Sequence, residues 1–154
     1  MKGDMKTFLR WILPGLAVLA LDRLVKAAAA GITALPLIPG VIGLRSSRNT
    51  GMALGLFQDG TVGILVVTAV LAALCVWLLR GMRLSGLAPV AVSLMAGGAL
   101  GNLLDRLLLG YVQDMFELLF MRFYIFNLAD VGVVCGAVLC GVSLLFRPGD
   151  WSKK

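Results

Sequence analysis

Two aspartates near long apolar segments are the residues of this sequence best suited to chemistry. Asp130 ends the stretch Asn-Leu-Ala-Asp at the start of an apolar run long enough to cross a bilayer, and Asp114 precedes that run. A charge in hydrocarbon costs upward of about 2.5 kcal/mol, so such residues are candidates for function. Two carboxyl groups held a few ångström apart cannot both ionise easily, and one keeps its proton. Such a pair can activate a water against an amide carbonyl and protonate the leaving nitrogen without a metal or cofactor.

Asp105 is the alternative partner in such a pair. It lies about two and a half helical turns before Asp114, so we expect it deeper in the membrane, where a salt bridge to Arg106 or Lys26 would suit it better. Asn102 stands three residues earlier on the same helical face. Both residues could therefore pair with Arg106 or with a neighbouring helix instead of doing chemistry.

The other polar residues also have structural interpretations. Asn127 and Asp130 have the spacing of a capping box at a helix start. Asp22 and Lys26 are four residues apart, the spacing of an ion pair along one helix. Taken together, however, several carboxylates and asparagines are predicted to converge on one end of a small helical bundle. This convergence favours a functional site over separate structural roles.

The residue inventory excludes several kinds of active site. The chain has no histidine, which removes Ser-His-Asp and Cys-His nucleophiles, HExxH zinc sites and haem ligation by histidine. Cys75, Cys135 and Cys140 lie in apolar runs at spacings that match no metal site, and we interpret them as packing residues. The net charge of +6 comes from residues at the ends of apolar runs, so no nucleic-acid partner is predicted.

The composition predicts an integral membrane protein that is all-α apart from a small outer-face β/turn layer. Hydrophobic residues make up 60% of the chain and charged residues 14%, against roughly a quarter charged in soluble domains. Four transmembrane helices are predicted at about 8–30, 61–79, 87–109 and 126–146, each long enough to cross the bilayer. Residues 1–154 form one membrane-embedded domain in this interpretation. The first span is expected to be retained, because it is long and three further spans follow.

Basic residues predict the orientation of these spans. The Lys and Arg residues that fall on one side are Lys2, Lys6, Arg10, Arg80, Arg83, Arg147, Lys153 and Lys154. That side, with both termini, is predicted to be cytoplasmic. On the other side, segment 31–60 is predicted to form a strand-and-turn layer, and segment 110–125 an interfacial, partly helical stretch. Two GxxxG pairs predict close packing of the third and fourth helices. The pairs are Gly97 with Gly101 and Gly132 with Gly136.

Five pieces of sequence, in this order, resemble the signal peptidase II (lipoprotein signal peptidase) family. The pieces are Asp22 in LALDRLVK, RNTGMA at 48–53, GGALGNLLDR at 97–106, GYVQD at 110–114 and FNLAD at 126–130. A single NxxD motif would be weak evidence for the family. The five pieces in order, together with four spans, are specific evidence and cover nearly the whole chain.

The resemblance implies an intramembrane aspartic endopeptidase with Asp114 and Asp130 as its catalytic pair and no metal or cofactor. The supporting residues that it implies are Asp22, Asn49, Gly51, Asn102, Asp105, Arg106 and Asn127. Of these, Asn127 would orient Asp130. The implied substrates are prolipoproteins with a diacylglyceryl group on the lipobox cysteine, cut just before that cysteine. The implied location is the outer face of the bacterial cytoplasmic membrane, with membrane lipids as further partners.

The chain departs from the family pattern at three places. The family often has Val-Val-Asp-Phe where residues 112–115 read Val-Gln-Asp-Met, a serine where Val131 stands, and an alanine where Met52 stands. No departure removes a carboxylate, so pocket shape and substrate preference are affected more than the reaction.

Three other classes of protein fit the sequence less well. A small ion-coupled carrier, with the aspartates as a proton relay, would place carboxylates near the bilayer midplane, whereas these stand at one end of the spans. A metal-dependent lipid transferase would need several aspartates on one helical face to hold the ion. A scaffold would explain the packing glycines but not the ordered polar residues.

Overall fold

Four long helices dominate the computed structural model, which describes residues 5–51 and 60–153. The helices are α1 (Met5–Ala29), α2 (Thr61–Leu79), α3 (Ala88–Leu109) and α4 (Leu128–Phe146). Within the described residues, α2, α3 and α4 are long and apolar enough to cross a membrane. The last three predicted spans are therefore confirmed as such helices. The first predicted span is also helical, but α1 is too rich in charged residues to meet the same criterion, and its crossing stays a prediction.

Glycines let α1, α3 and α4 approach one another closely. A Cβ at Gly97 would overlap the backbone of Gly15, and a Cβ at Gly136 would lie 2.7 Å from the carbonyl oxygen of Ala91. The N–H of Gly15 also donates to the hydroxyl of Ser93 in α3, at 2.9 Å. The close packing of α3 and α4 that the GxxxG pairs predict is confirmed, and α1 joins it. Most side chains of α2, in contrast, are exposed.

Short strands form two sheets in the described part of the chain. They are β1 (Leu35–Ile38), β2 (Ile42–Asn49), β3 (Met82–Leu84), β4 (Val112–Leu118) and β5 (Trp151–Lys153). The first sheet has the antiparallel order β1-β2-β4, with Ser47 opposite Asp114 and Asn49 opposite Val112. The strand-and-turn layer predicted for 31–60 is thus confirmed where the segment is described.

The prediction that 110–125 is partly helical is wrong. Gly110 ends α3 in the left-handed conformation, with φ of 81°, which turns the chain away from the helix axis. The residues that follow then pair along the free edge of β2 as strand β4. A strand there satisfies the backbone N–H and C=O groups of both β4 and the edge of β2. A helix would satisfy only the backbone groups within the helix.

The second sheet joins β3 to β5 at the opposite end of the bundle. A short 3-10 helix, Pro148–Asp150, precedes β5. The carboxylate of Asp150 accepts hydrogen bonds from the N–H of Leu87 at 2.9 Å and from the hydroxyl of Ser143 at 3.1 Å. These bonds hold the residues after α4 against the connection between α2 and α3. The sequence did not predict this sheet, and the description all-α is not confirmed.

Candidate active site

Asn127 is the N-cap of α4, and its capping box holds Asp130 in place. Its Oδ1 accepts a hydrogen bond from the N–H of Asp130 at 2.8 Å, while its own N–H donates to Oδ2 of Asp130 at 3.1 Å. The other carboxylate oxygen accepts from Nδ2 of Asn102 in α3, at 2.7 Å. The capping interpretation is confirmed. Asp130 nevertheless stays partly exposed, so its carboxylate is open to a further partner.

Asp114 is held on the other side of the same asparagine. Nδ2 of Asn127 donates to Oδ1 of Asp114 at 2.7 Å, and Nδ2 of Asn49 donates to Oδ2 at 2.9 Å. Nδ2 of Asn127 also reaches Oδ1 of Asn102, at 2.9 Å. Asn127 therefore connects the two carboxyl groups, because its side chain holds that of Asp114 and its backbone N–H holds that of Asp130. We call Asp114 and Asp130 the aspartate pair.

The two members of the aspartate pair differ in burial. Asp114 is only 3% exposed. Burial raises its pKa to about 6, against the hydrogen bonds from Asn49 and Asn127, and the charge of Asp130 contributes to the increase. An ordinary aspartate has a pKa of about 3.9, so Asp114 keeps a proton much closer to neutral pH. The arrangement supplies a buried proton donor beside a partly exposed carboxylate, as general acid–base chemistry requires.

A group of charges, all buried except the partly exposed Arg23, lies next to the pair and links α1 to α3. Its members are Asp22, Arg23, Lys26 and Asp105, which we call the ion network. Lys26 Nζ lies 2.8 Å from Asp22 and 2.7 Å from Asp105, and Arg23 contacts the same two carboxylates at 2.7 and 2.6 Å. The ion pair predicted from the spacing of Asp22 and Lys26 is confirmed, as is a salt bridge between Asp105 and Lys26.

The ion network also holds the backbone beside each aspartate of the pair. The N–H of Gln113 donates to Asp105 Oδ2 at 3.2 Å, and the N–H of Ala129 donates to Asp22 Oδ1 at 3.0 Å. Gln113 and Ala129 are the residues immediately before Asp114 and Asp130. The network thus ties β4 and the start of α4 to the same two helices, which constrains the separation of the two carboxyl groups.

Comparison with known proteins agrees with this arrangement. The family model for signal peptidase (SPase) II matches residues 15–146. The chain belongs to the signal peptidase II family. It is 37% identical to the lipoprotein signal peptidase of Thermosynechococcus vestitus, over 86% of this chain and 89% of that protein. It is 35% identical to the lipoprotein signal peptidase of Latilactobacillus sakei, over 90% of this chain and 95% of that protein.

A solved structure of a membrane enzyme has a similar fold. A bacterial membrane enzyme determined by the in meso method at 2.3 Å matches with a TM-score of 0.76 and 28% identity, covering 86% of this chain and 85% of that one. The resemblance drawn from the sequence is therefore confirmed, and the chain is a multi-pass membrane peptidase of the signal peptidase II family. The family assignment gives no support to an ion-coupled carrier.

The signal peptidase II fold gathers the residues that the sequence singled out into two adjoining groups. Those joined around the aspartate pair are Asn49, Gly51, Asn102, Arg106, Asp114, Asn127 and Asp130. Asp22 and Asp105 lie in the ion network instead, so Asp105 is not hydrogen-bonded within the pair. Within the described residues, no group of three or more His, Cys, Asp or Glu side chains could hold a metal ion.

Of the two cations that the sequence suggested for Asp105, Lys26 pairs with it, and Arg106 binds backbone carbonyl groups instead. Arg106 donates to the carbonyl oxygen of Gly51 at 3.0 Å and to that of Asn102 at 3.4 Å. The N–H of Gly51 in turn donates to Oδ1 of Asn49, at 3.0 Å. Arg106 therefore fixes the chain beyond β2, next to Asn49. Met52, Ala53 and Asp59, which follow, lie outside the described residues.

Sequence reasoning missed the part that Arg23 and Gln113 play. Arg23 contacts both acids of the ion network, and Gln113 Nε2 donates to the carbonyl oxygen of Lys26 at 2.9 Å. The signal for Arg23 was its position between Asp22 and Lys26. Gln113 gave no signal, because its role depends on β4 passing the end of α1.

Proposed function

We propose that this protein is an intramembrane aspartic endopeptidase that removes the signal peptide from prolipoproteins. The substrates would carry diacylglyceryl on the lipobox cysteine and be cut just before it. The observation that carries the proposal is the aspartate pair joined through Asn127, with one buried and one partly exposed carboxyl group. The relatives named lipoprotein signal peptidase supply the substrate class.

The two carboxyl groups divide the chemistry according to their surroundings. Asp130, which is partly exposed, takes a proton from a water that attacks the scissile carbonyl carbon. Asp114 gives its proton to the carbonyl oxygen, so a neutral tetrahedral intermediate forms. When the C–N bond breaks, the nitrogen takes the proton from Asp130 and a hydroxyl of the intermediate returns one to Asp114. The pair then regains its starting protonation, with no net proton consumed by the enzyme.

The asparagines and the ion network have positioning roles in this proposal. Asn127 orients Asp130 and holds Asp114, while Asn102 fixes the outer oxygen of Asp130. Asn49 and Gly51, braced by Arg106, border the pair on the strand side and are suited to holding the substrate. Asp22 and Asp105 act only through the backbone, because each accepts an N–H next to one aspartate.

The proposed location is the bacterial cytoplasmic membrane, with four spans, both termini in the cytoplasm and the aspartate pair at the outer face. The charges of α1 do not oppose a fourth span. Asp22, Arg23 and Lys26 are paired with one another and with Asp105, and intramembrane charges are tolerated when they are paired inside a bundle. The distribution of Lys and Arg supports the orientation. Residues 1–154 would form one domain, most of which the family model spans.

Cleavage of a diacylglyceryl-modified prolipoprotein by the purified protein tests the proposal. Wild type should release the signal peptide just before the lipidated cysteine, with a chelator present, and the product mass gives the cleavage position. Asp114→Asn and Asp130→Asn should be inactive at matched folded amounts, because an amide neither ionises nor exchanges a proton usefully.

Asp105→Asn is the informative third variant. It should keep residual activity in proportion to the amount that folds, because Asp105 braces the backbone and does not touch the reacting bond. Complete loss at Asp105 together with activity at Asp114→Asn would overturn the assignment of the pair. Inactive, folded wild type would overturn the proposed reaction.

A further inference from the structure

An apolar surface covers the end of the first sheet that is furthest from the aspartate pair. We call it the sheet tip; its residues are Leu119, Phe120, Met121, Phe123 and Tyr124 after β4, with Ile38 and Val41 at the turn between β1 and β2. Each is 42–63% exposed. The N–H of Leu119 donates to the carbonyl oxygen of Val41 at 2.9 Å, which joins the two parts. A contiguous apolar patch of this kind marks an interaction site.

Ring contacts hold the sheet tip in shape. Phe123 packs edge-on against Phe126 at 6.2 Å between ring centroids, and against Tyr124 at 6.3 Å. Phe126 in turn packs on Phe116 of β4, at 5.7 Å. Phe123 and Tyr124 nevertheless remain about half exposed. The exposed area is therefore a formed surface that another apolar phase can cover.

An exposed cation, Arg122, lies between Met121 and Phe123 in this stretch of the chain. Arg122 is exposed and makes no hydrogen bond or ion pair in the described part of the chain. Its neighbour Arg45, in contrast, is held by Glu117 through two bonds of 2.7 and 2.9 Å. An exposed arginine close to aromatic residues in the chain suits the headgroup region of a bilayer, because aromatic rings prefer that depth and guanidinium binds phosphate.

We propose that the sheet tip inserts into the headgroup region of the bilayer, with Arg122 on lipid phosphate. The surface is continuous with the membrane-embedded part of the protein, since α4 begins at Leu128, shortly after Tyr124. Strand β4 carries the chain about 14 Å from Asp114 to Leu118, at about 3.4 Å per residue. The sheet would then be fixed at both ends, by the helices and by lipid, which sets the depth of the aspartate pair relative to the bilayer surface.

The depth of a spin label at Phe120 tests this contact. Cys75, Cys135 and Cys140 are replaced by alanine in the full chain, and Phe120→Cys is labelled and reconstituted in phosphatidylcholine–phosphatidylglycerol vesicles. We expect the label about 5–10 Å below the lipid surface. Its collision rate with a water-soluble nickel chelate should be several-fold lower than that of a matched label at Ser152, which is exposed in β5. A label at Val138, on the exposed side of α4, gives the deep reference.

Charge reversal tests the role of Arg122. Arg122→Glu should move the Phe120 label toward water, whereas Arg122→Lys should leave its depth nearly unchanged. Equal nickel accessibility at Phe120 and Ser152 would overturn the proposal. So would a label that becomes shielded only when a diacylglyceryl prolipoprotein is added, since the surface would then bind substrate. The measurement needs no cleavage, so its outcome is independent of whether the aspartate pair is catalytic.

Discussion

Replacing Asp114 by asparagine should stabilise the protein in a way that depends on pH. The carboxyl group of Asp114 is buried, and its pKa is raised from 3.8 to about 6, which means that the fold disfavours its ionised form. At 1.36 kcal/mol per pH unit, the full cost of holding Asp114 ionised is about 3 kcal/mol. Asp114→Asn removes this cost together with the charge.

The sign and the pH window follow from linkage. Because the folded pKa lies above the unfolded one, the cost is absent below about pH 3.8, grows between the two values, and is complete above about pH 6. It amounts to about 1.6 kcal/mol at about pH 5 and about 3 kcal/mol at about pH 7.5. The advantage of Asp114→Asn over wild type should therefore be about 1.4 kcal/mol larger at the higher pH. Any fixed loss from the hydrogen bond of Asn49 cancels in this comparison.

Thermal unfolding in detergent, followed by tryptophan fluorescence, measures the effect. For a chain of this size, about 1.4 kcal/mol corresponds to a change of about 3–6 °C in the difference between the two unfolding temperatures. Glu117→Gln removes one negative charge from the same strand and also breaks the ion pair with Arg45, so it gives an upper limit for the general effect of losing a carboxylate. A difference between Asp114→Asn and wild type that is the same at both pH values would refute the raised pKa, and with it the proton-donor role.

Other predictions concern the remaining parts of the site. The kcat/KM of wild type should fall as pH rises through about 6, because Asp114 then loses its proton, and a pH–rate profile checks this. Asn102→Ala should lower kcat/KM about ten- to a hundredfold, since a hydrogen bond to a charged group contributes about 1.5–3 kcal/mol. Lys26→Met should cost about 3–5 kcal/mol of unfolding free energy, because it breaks a buried ion pair. Gly97→Ala should lower the unfolding temperature, because its Cβ would overlap Gly15.

The helices could be predicted from the sequence because their limits are local. The runs predicted at 61–79, 87–109 and 126–146 end at charged, glycine or capping residues, and the observed helices agree within two residues. The capping box of α4 was visible for the same reason, since Asn127 and Asp130 are three residues apart. Features that depend on neighbouring residues were thus within reach of the sequence.

The missed features depend on contacts between distant segments. Strand β4 pairs with β2 across more than sixty residues, and nothing within Val112–Leu118 fixes that pairing. The C-terminal sheet depends on Asp150 meeting Leu87, which are similarly far apart. From the sequence alone, a charged residue such as Asp150 is interpreted as solvent-exposed, because its partner Leu87 is not identified. Gln113 gave no signal for the same reason.

The ion network could stabilise the fold, or it could serve mainly to position the aspartate pair. Its two cations and two anions balance, but burying Asp22, Lys26 and Asp105 costs more than the attraction between the charges usually returns, so apolar residues of similar size could be as stable. Apolar side chains could not, however, accept the N–H groups of Gln113 and Ala129. We therefore expect a chain with all four network residues replaced by leucine or methionine to remain helical and to unfold near the wild-type temperature, yet to cleave prolipoprotein at least several-fold more slowly. Unchanged kcat in such a chain would show that the helices alone position the aspartate pair.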